Sequence, residues 1–223
     1  MAIRINRILL THWSYIQHAV IDFSKYVTLL YGKSGSGKSS IIDASLLVLL
    51  GDAKNTKFFN KASNAKSART LEDYLRGMNE VNAERGKSYI RDNDFSSHIA
   101  IEFYDDTEDK TFTAGVVFDV SPYQTRTSIE HRFFILDFGI PENRFIENGV
   151  PYNIEKLIKV FGKKATFPSD LNYRDELPAR VFNFLKHDEF SVMLKKAVAF
   201  KTVDDIKTFI IQFVCEDTVI DLK

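Results

Sequence analysis

The hydrophobic positions of the first 50 residues follow two different periods. In the first part they are spaced as in β-strands, with the β-branched and aromatic side chains that strands favour. From Lys38 to Leu50 the apolar residues recur at helical spacing, and Gly51 supplies a stop signal. The pattern predicts strands at 3–10, 15–23 and 26–31, then a loop, then a helix.

The next segment, 53–70, differs in composition from its neighbours. It holds five basic residues and no acidic one: Lys54, Lys57, Lys61, Lys66 and Arg69. Such a segment can be a solvated surface loop, or it can contact DNA phosphates without sequence preference. A short helix is predicted near 70–78, followed by a polar connection that reaches about Asp94.

In the middle of the chain the hydrophobic period becomes two. Residues 98–104 and 111–120 alternate and flank an acidic turn, which predicts a β-hairpin. A further strand is predicted at 131–137, and Asn148-Gly149 is typical of a tight hairpin turn. We therefore expect an antiparallel sheet over about 95–152.

The last third of the chain has the pattern of helices. They are predicted at 154–161 and, around a proline, at about 172–185. A final helix begins at Thr202, which with Asp205 resembles a capping pair. The fold class is therefore α/β, and one unit over 1–223 is expected, with a strand–loop–helix part over about 1–80, the antiparallel sheet over about 95–152 and a helical part over about 153–223.

Composition limits the kind of protein this can be. Apolar residues make up 44% and charged residues 27%, as in water-soluble globular domains. Thirty basic residues balance thirty acidic ones, so net charge alone predicts neither nucleic acid nor a membrane as partner. The longest apolar stretch, 41–51, contains Asp43 and is too short to cross a bilayer. The single Cys215 and the absence of a secretory leader suggest a cytoplasmic location, and the histidines have no zinc-ligand spacing.

The loop between the third predicted strand and the helix matches the pattern G-x-x-x-x-G-K-[ST] of a P-loop. Its glycines let successive backbone N–H groups point inward, and the helix N-terminus adds partial positive charge. Lys38 is expected to reach the β- and γ-phosphates of ATP, and Ser39 to ligate Mg²⁺. The predicted phosphate-binding residues are Gly32, Lys33, Ser34, Gly35, Ser36, Gly37, Lys38, Ser39 and Ser40.

Hydrolysis of ATP needs a second carboxylate, at the end of a buried strand, that supports the Mg²⁺ shell. One candidate is Asp137, because four apolar residues precede it. If 133–137 were this Walker B strand, the chain could be a self-contained small-molecule kinase. The alternative is a turn aspartate at the end of an antiparallel strand, which the following Phe138 and the surrounding hairpin signals favour.

Several stretches of the chain, in order, resemble a known family. They are Trp13 ahead of an extended segment, G-K-S-G-S-G-K-S-S at 32–40, F-N-K-A at 59–62, R-T-L-E-D-Y-L-R-G at 69–77, F-I-E-N-G at 145–149 and A-F-K at 199–201. The fourth is similar to an R-T-L-x-x-Y-x-R-G pattern of that family. The chain thus resembles the N-terminal half of the ATPase heads of MukB-like SMC proteins, most closely the JetC subunits of Wadjet anti-plasmid systems, which are related to MksB and MksF condensins.

This resemblance implies an ABC-type P-loop NTPase half-head followed by a long coiled coil, with the signature and Walker B residues in a C-terminal half. It implies ATP and Mg²⁺ as cofactors and ATP hydrolysis only with that half. The implied partners are a second head in an ATP-dependent dimer, kleisin and KITE subunits, a separate nuclease subunit and DNA, with no membrane. The implied function is DNA loop extrusion in plasmid defence, at the bacterial nucleoid.

The chain also departs from the family. Ser34 replaces the usual asparagine of the P-loop, and 194–197 reads L-K-K-A where the glutamine of the Q-loop would align. A DNA-repair head of the RecF or Rad50 type is therefore an alternative.

The remaining candidate residues have two interpretations each. Trp13 and Tyr15 can stack on the adenine of ATP or pack in the core and sheet. The family resemblance favours DNA contacts for the basic segment, and it adds Arg69 and Arg76 as residues that sense phosphate.

Overall fold

The computed structural model describes residues 3–54, 59, 69–82, 86–122, 127–182 and 190–194 of the 223-residue chain. Ten strands are assigned in this part: β1 Ile3–Trp13, β2 Ile16–Asp22, β3 Met78–Asn82, β4 Gly86–Tyr89, β5 Phe95–Asp105, β6 Lys110–Pro122, β7 Thr127–Leu136, β8 Ile146–Glu147, β9 Val150–Pro151 and β10 Thr166–Phe167. The α-helices are α1 Lys38–Leu50, α2 Leu71–Arg76, α3 Ile154–Phe161 and α4 Asp170–Phe182, with a 3₁₀ turn at Lys163–Ala165. The fold is α/β with a large antiparallel sheet, as predicted.

A six-stranded sheet in the order β10-β7-β6-β5-β1-β2 forms the centre of the described structure, and every neighbouring pair is antiparallel. The hairpin of β5 and β6 is regular from the pair Phe95 and Val120 to the pair Asp105 and Lys110. The first two predicted strands join this same sheet, because β1 pairs with β5 as well as with β2.

The sheet is buried on both faces, and alternate residues of each strand enter opposite cores. Helices α1, α2 and α4 cover one face, where the core includes Ile8, Leu10, Leu47, Ile99, Ile101, Val116, Phe118, Phe133, Tyr173 and Leu177. Helix α3 covers the other face, where the core includes Leu9, Ala100, Val117, Phe134, Leu136, Phe145, Tyr152 and Leu157. This two-faced burial explains why the strands appear as nearly continuous apolar runs.

The predicted turn at Asn148-Gly149 connects β8 and β9. Both residues have positive φ values, 52° for Asn148 and 78° for Gly149. A two-residue hairpin turn with left-handed residues at both positions suits the right-handed twist of its strands. The sequence signal and the backbone geometry therefore agree at this turn.

Helix α1 ends where the sequence predicts, at Gly51. This residue has φ 59°, and its N–H donates to the Leu47 carbonyl at 3.0 Å. A Cβ at Gly51 would lie 2.7 Å from Cδ1 of Tyr173, so the glycine also permits close approach of α4. The Tyr173 hydroxyl donates to the Val48 carbonyl at 3.0 Å, which fixes the C-terminal end of α1 on α4.

The strand predicted at 26–31 is wrong for the described structure. These residues belong to no strand, and Tyr26, Val27, Leu29 and Tyr31 are 80–94% exposed. The Ser24 N–H donates to Oγ1 of Thr28 at 2.9 Å, which closes a short turn at the start of this segment. The β-propensity of these side chains is not enough, because a strand needs a neighbour and the described residues supply none here.

Two further predictions concern the C-terminal third. The helix predicted around the proline is α4, which contains Pro178, and residues 190–194 are helical as well. The helix predicted from Thr202 lies outside the described residues. Within the described part, no helix has the length and apolar character that a bilayer crossing requires.

Candidate phosphate-binding site

The P-loop leads directly into helix α1. Gly35 and Gly37 have φ values of 82° and 91°, in the left-handed region that favours glycine, and Gly37 is the residue before the helix. A Cβ at either position would have no other atom within 4 Å, so the glycines leave open space around the loop. Side chains at these positions would occupy that space, which the glycines leave free for the approach of an anion to the backbone.

Gly32 lies in a more crowded part of the loop than Gly35 and Gly37. A Cβ at Gly32 would lie 2.6 Å from Oγ of Ser36, because the loop folds back on itself. The Ser36 N–H donates to the Lys33 carbonyl at 3.2 Å, which closes this turn. A side chain at Gly32 would therefore force Ser36 to move.

Lys38 lies across the loop. Its Nζ donates to the carbonyls of Gly32 at 2.7 Å and Lys33 at 2.8 Å, and it contacts Oγ of Ser36 at 3.3 Å. The ammonium group is thus held above the loop, at the N-terminus of α1, where both its charge and the helix dipole favour an anion.

The serines after Lys38 face in opposite directions. Ser39 is exposed, and its hydroxyl makes no hydrogen bond to the described residues, so it is free to ligate Mg²⁺. Ser40 is buried, and its hydroxyl donates to Oγ of Ser14 at 3.3 Å. Phosphate binding by Ser40 stays a prediction.

A cluster of aromatic rings lies beneath the first turns of α1. Trp13 stacks on Tyr74 with ring centroids 4.8 Å apart and planes 6° apart, and Phe59 contacts both rings edge-on. The Trp13 Nε1–H donates to the Ser40 carbonyl at 2.8 Å. Because Trp13 has no exposed surface, it cannot stack on adenine in this arrangement and instead packs in the core. Tyr15 is 49% exposed, and its hydroxyl donates to the Met78 carbonyl at 2.6 Å.

Asp43 is the buried acid of α1, and sequence reasoning assigned it no role. Its Oδ2 accepts a hydrogen bond of 2.5 Å from the Tyr74 hydroxyl. Burial, this bond and the negative charge of Asp43 raise the pKa of Tyr74 well above its ordinary value. The Tyr74 hydroxyl is therefore a permanent donor. The only signal in the sequence was an aspartate inside an apolar helical run.

The basic segment is only partly described. Lys54 is exposed, and Arg69 lies with its guanidinium 5.8 Å from the centre of the Tyr74 ring. Lys57, Lys61 and Lys66 lie outside the described residues. DNA contact by this segment stays a prediction.

Arg76 is engaged by the protein itself. Its guanidinium donates to Glu72 at 2.9 Å, to Asp92 at 2.7 Å and to the Arg91 carbonyl at 3.2 Å, and it lies 3.9 Å from the Tyr89 ring centre. These contacts fasten α2 to the residues around β4, so the environment of Arg76 is that of a structural arginine.

Asp137 follows β7, whose neighbours β6 and β10 are both antiparallel to it. Its side chain is 82% exposed and pairs with Arg180 at 2.5 Å. It lines a cavity of about 620 Å³ with Phe138, Phe161 and Arg180, and no P-loop residue lines that cavity. This is the environment of the turn aspartate considered as the alternative to a Walker B residue.

Comparison with known proteins identifies the P-loop region. Residues 5–66 match the family model described as "P-loop containing region of AAA domain". The match covers β1, β2, the P-loop, α1 and part of the basic segment, which is less than half of the chain. No curated protein matches the chain.

Twenty-nine chains of solved structures match. One of them is described as "Structural biochemistry of ATP-driven dimerization and DNA stimulated activation of SMC ATPases". It is similar over 95% of this chain and 99% of that chain, with 19% identity and a TM-score of 0.37. At this TM-score the similarity supports no conclusion about the present chain.

Among the described residues, no group of three or more His, Cys, Asp or Glu side chains is placed to hold a metal ion.

Proposed function

We propose that this chain binds ATP and Mg²⁺ as the N-terminal half of an SMC-like ATPase head, and that it hydrolyses ATP only together with the C-terminal half of that head. Gly32–Lys38 and the N-terminus of α1 bind the phosphates, Lys38 neutralises their charge, and Ser39 ligates the metal.

The observation that carries the proposal is the exposed apolar segment directly before the P-loop. Residues 26–31 are rich in strand-forming side chains, yet in the described structure they pair with no strand. Exposed, contiguous apolar side chains of this kind mark an interaction surface. A strand from the C-terminal half that pairs here would bury the segment and bring its own carboxylate to the metal site.

The chemistry agrees with an incomplete site. The P-loop side supplies cationic and hydroxyl groups, whereas phosphoryl transfer also needs a residue that orients the attacking water. Asp137 is the one candidate that the sequence offers, but it follows the antiparallel strand β7 and pairs with Arg180 of α4. The missing groups would come from the C-terminal half and from a second head across an ATP-dependent dimer.

The further functional setting is part of the same proposal. A head of this kind would act with kleisin, KITE and nuclease subunits at the bacterial nucleoid, and would use ATP to extrude DNA loops in plasmid defence. The basic residues Lys54, Lys57, Lys61, Lys66 and Arg69 would contact DNA phosphates, and Tyr15 remains the candidate for adenine.

The test is ATP binding and hydrolysis by the 223-residue chain, alone and mixed with the C-terminal half. We expect the chain alone to bind a fluorescent ATP analogue with Mg²⁺ but to release phosphate no faster than buffer. Adding the C-terminal half should start hydrolysis, and Lys38→Ala should abolish it. Removing one phosphate-binding cation of this type costs about 10²-fold or more in rate.

The matched control is Lys110→Ala, because Lys110 is a surface lysine on the tip of the β5–β6 hairpin that pairs only with Glu108 among the described residues. It should leave binding and hydrolysis unchanged. Turnover by the chain alone that disappears in Asp137→Ala would instead support the self-contained kinase and reject the half-head.

A further inference from the structure

The first two turns of α1 are fastened to the rest of the protein from their buried side. The Trp13 indole donates to the Ser40 carbonyl at 2.8 Å, and the Tyr74 hydroxyl donates to Asp43 at 2.5 Å. Trp13 and Tyr74 are stacked on each other, and the Ser14 N–H donates to the Tyr74 carbonyl at 2.6 Å. Each of α1, the β1–β2 turn with the end of β1, and α2 therefore contacts the other two.

The same turns also carry the phosphate-binding residues Lys38 and Ser39. Asp43 follows Ser39 by four residues, so the two side chains lie one above the other along the helix. Lys38 donates to the P-loop itself, at Gly32, Lys33 and Ser36. The buried contacts at Ser40 and Asp43 thus hold the same helical turns that carry Lys38 and Ser39.

We propose that Tyr74 is a positioning residue for the phosphate site: by holding Asp43, its hydroxyl fixes the rotation of α1 that places Lys38 and Ser39 at the P-loop. The identity of the ligand, ATP, rests on the proposed function above. The positioning of α1 by Tyr74 does not depend on the identity of the ligand.

Tyr74 is suited to this role because α2 is itself firmly held. Thr70 and Asp73 form a capping box at its start, and Lys87 donates to both oxygens of Asp73. At its end, Arg91 donates to the carbonyls of Leu75 and Ser14, each at 2.9 Å. A side chain on a rigid short helix can set the position of a longer one.

The other end of α1 offers an internal comparison. The Tyr173 hydroxyl donates to the Val48 carbonyl, which lies near the C-terminal end of the helix, far along its axis from the P-loop. Tyr89 offers a second comparison, because its hydroxyl donates to a carboxylate of α2, that of Asp73, at 3.2 Å. Both are matched tyrosines for a hydroxyl deletion.

The experiment compares Tyr74→Phe, Tyr89→Phe and Tyr173→Phe in the 223-residue chain. Two quantities are measured: the Kd for mant-ATP with Mg²⁺ and the hydrogen-exchange rate of each α1 amide. Tyr74→Phe keeps the aromatic stack and removes only the hydroxyl. We expect it to weaken mant-ATP binding about tenfold and to speed exchange at the amides of 41–44 about tenfold, with 48–51 unchanged.

Tyr173→Phe should show the reverse exchange pattern, and Tyr89→Phe should change neither quantity at α1. Asp43→Asn keeps an acceptor for the Tyr74 hydroxyl, so it should bind mant-ATP within about twofold of the wild type. A purely structural Tyr74 would lower thermal stability without changing Kd or the first-turn exchange, and that result would overturn the proposal.

The two proposals fail in different ways. If the wild-type chain does not bind mant-ATP, the proposed function is contradicted, but the exchange rates still decide whether Tyr74 holds the first turns of α1. If the wild type binds and Tyr74→Phe binds equally well, the positioning role is rejected and the proposed function stands.

Discussion

The β5–β6–β7 part of the sheet and the segment leading to the P-loop are both rich in apolar, strand-forming residues, but they differ in strand pairing and in burial. In the sheet each strand has its hydrogen-bonding neighbours and its side chains enter two cores. In the segment 26–31 the same kinds of side chain are exposed and unpaired within the described structure. The difference lies in the neighbouring strands available among the described residues, not in composition.

Overpacking in the β5–β6–β7 part of the sheet should have the largest effect on stability. A Cβ at Gly115 would lie 2.5 Å from Cζ of Phe134 and 2.6 Å from the Ile99 carbonyl, at the centre of the sheet. We expect Gly115→Val to lower the free energy of unfolding by about 3 kcal/mol, measured by urea denaturation. Gly162→Ala is the control, since its Cβ would have open space but its φ of 85° is unfavourable for alanine. It should cost about 1 kcal/mol. Equal effects would show that the sheet interior is not closely packed.

The second prediction uses the buried histidine of β5. The Nε2–H of His98 donates to the Tyr152 carbonyl, whereas Nδ1 has no partner among the described residues. Burial lowers the pKa of His98 from 6.5 to about 4, and the nearby His12 and His18 act in the same direction. A proton therefore binds the unfolded chain more readily than the folded one, so stability is complete above pH 6.5 and is lost as the pH falls towards 4.

Between pH 7 and pH 5 this loss should amount to about 2 kcal/mol in the free energy of unfolding. In His98→Leu the difference between the two pH values should shrink by that amount, although the variant is less stable at both because the Tyr152 carbonyl loses its donor. Denaturation curves at both pH values decide this. An unchanged pH dependence in the variant would mean that His98 is not the titrating group. Asp73 does not interfere, because burial opposes its ionisation but the hydrogen bonds from Lys87 and Thr70 outweigh it and lower its pKa below 3.8.

Sequence reasoning succeeded where a signal is local. The period of two predicted β5 and β6, and Asn148-Gly149 fixed the β8–β9 turn, because each depends only on neighbouring residues. The P-loop was predictable for the same reason, and the family match over residues 5–66 agrees with it.

It failed where a distant residue decides the outcome. Trp13 could be assigned to adenine or to the core until Tyr74 was known to stack on it. The bond between Asp43 and Tyr74 joins residues 31 positions apart, and neither residue alone predicts it. The burial of Ser40 is similar, because nothing in the sequence next to the motif indicates that its hydroxyl donates to Ser14. The segment 26–31 was assigned to a strand on propensity, although its partner is not among the described residues.

The last prediction concerns segment 26–31, where substitutions should have the smallest effect on the stability of the chain. Val27 and Leu29 are 80% and 84% exposed, so replacing both with serine removes little buried area. The free energy of unfolding of the chain should change by no more than about 0.5 kcal/mol. Association with the C-terminal half should weaken at least about tenfold, because a pairing strand would bury both side chains and each is then worth about 1.5–3 kcal/mol.

The control variant makes the same kind of substitution, an exposed apolar residue to serine at two positions, on another part of the surface. Val150 and Leu171 are each 65% exposed and lie outside the segment, so Val150→Ser/Leu171→Ser should change neither stability nor association. Isothermal titration of the C-terminal half into each variant measures the second quantity. If the two double variants associate equally well, the exposure of 26–31 has no bearing on assembly. If only Val27→Ser/Leu29→Ser loses affinity while its stability is retained, segment 26–31 binds the C-terminal half, since its apolar side chains are then buried in that interface.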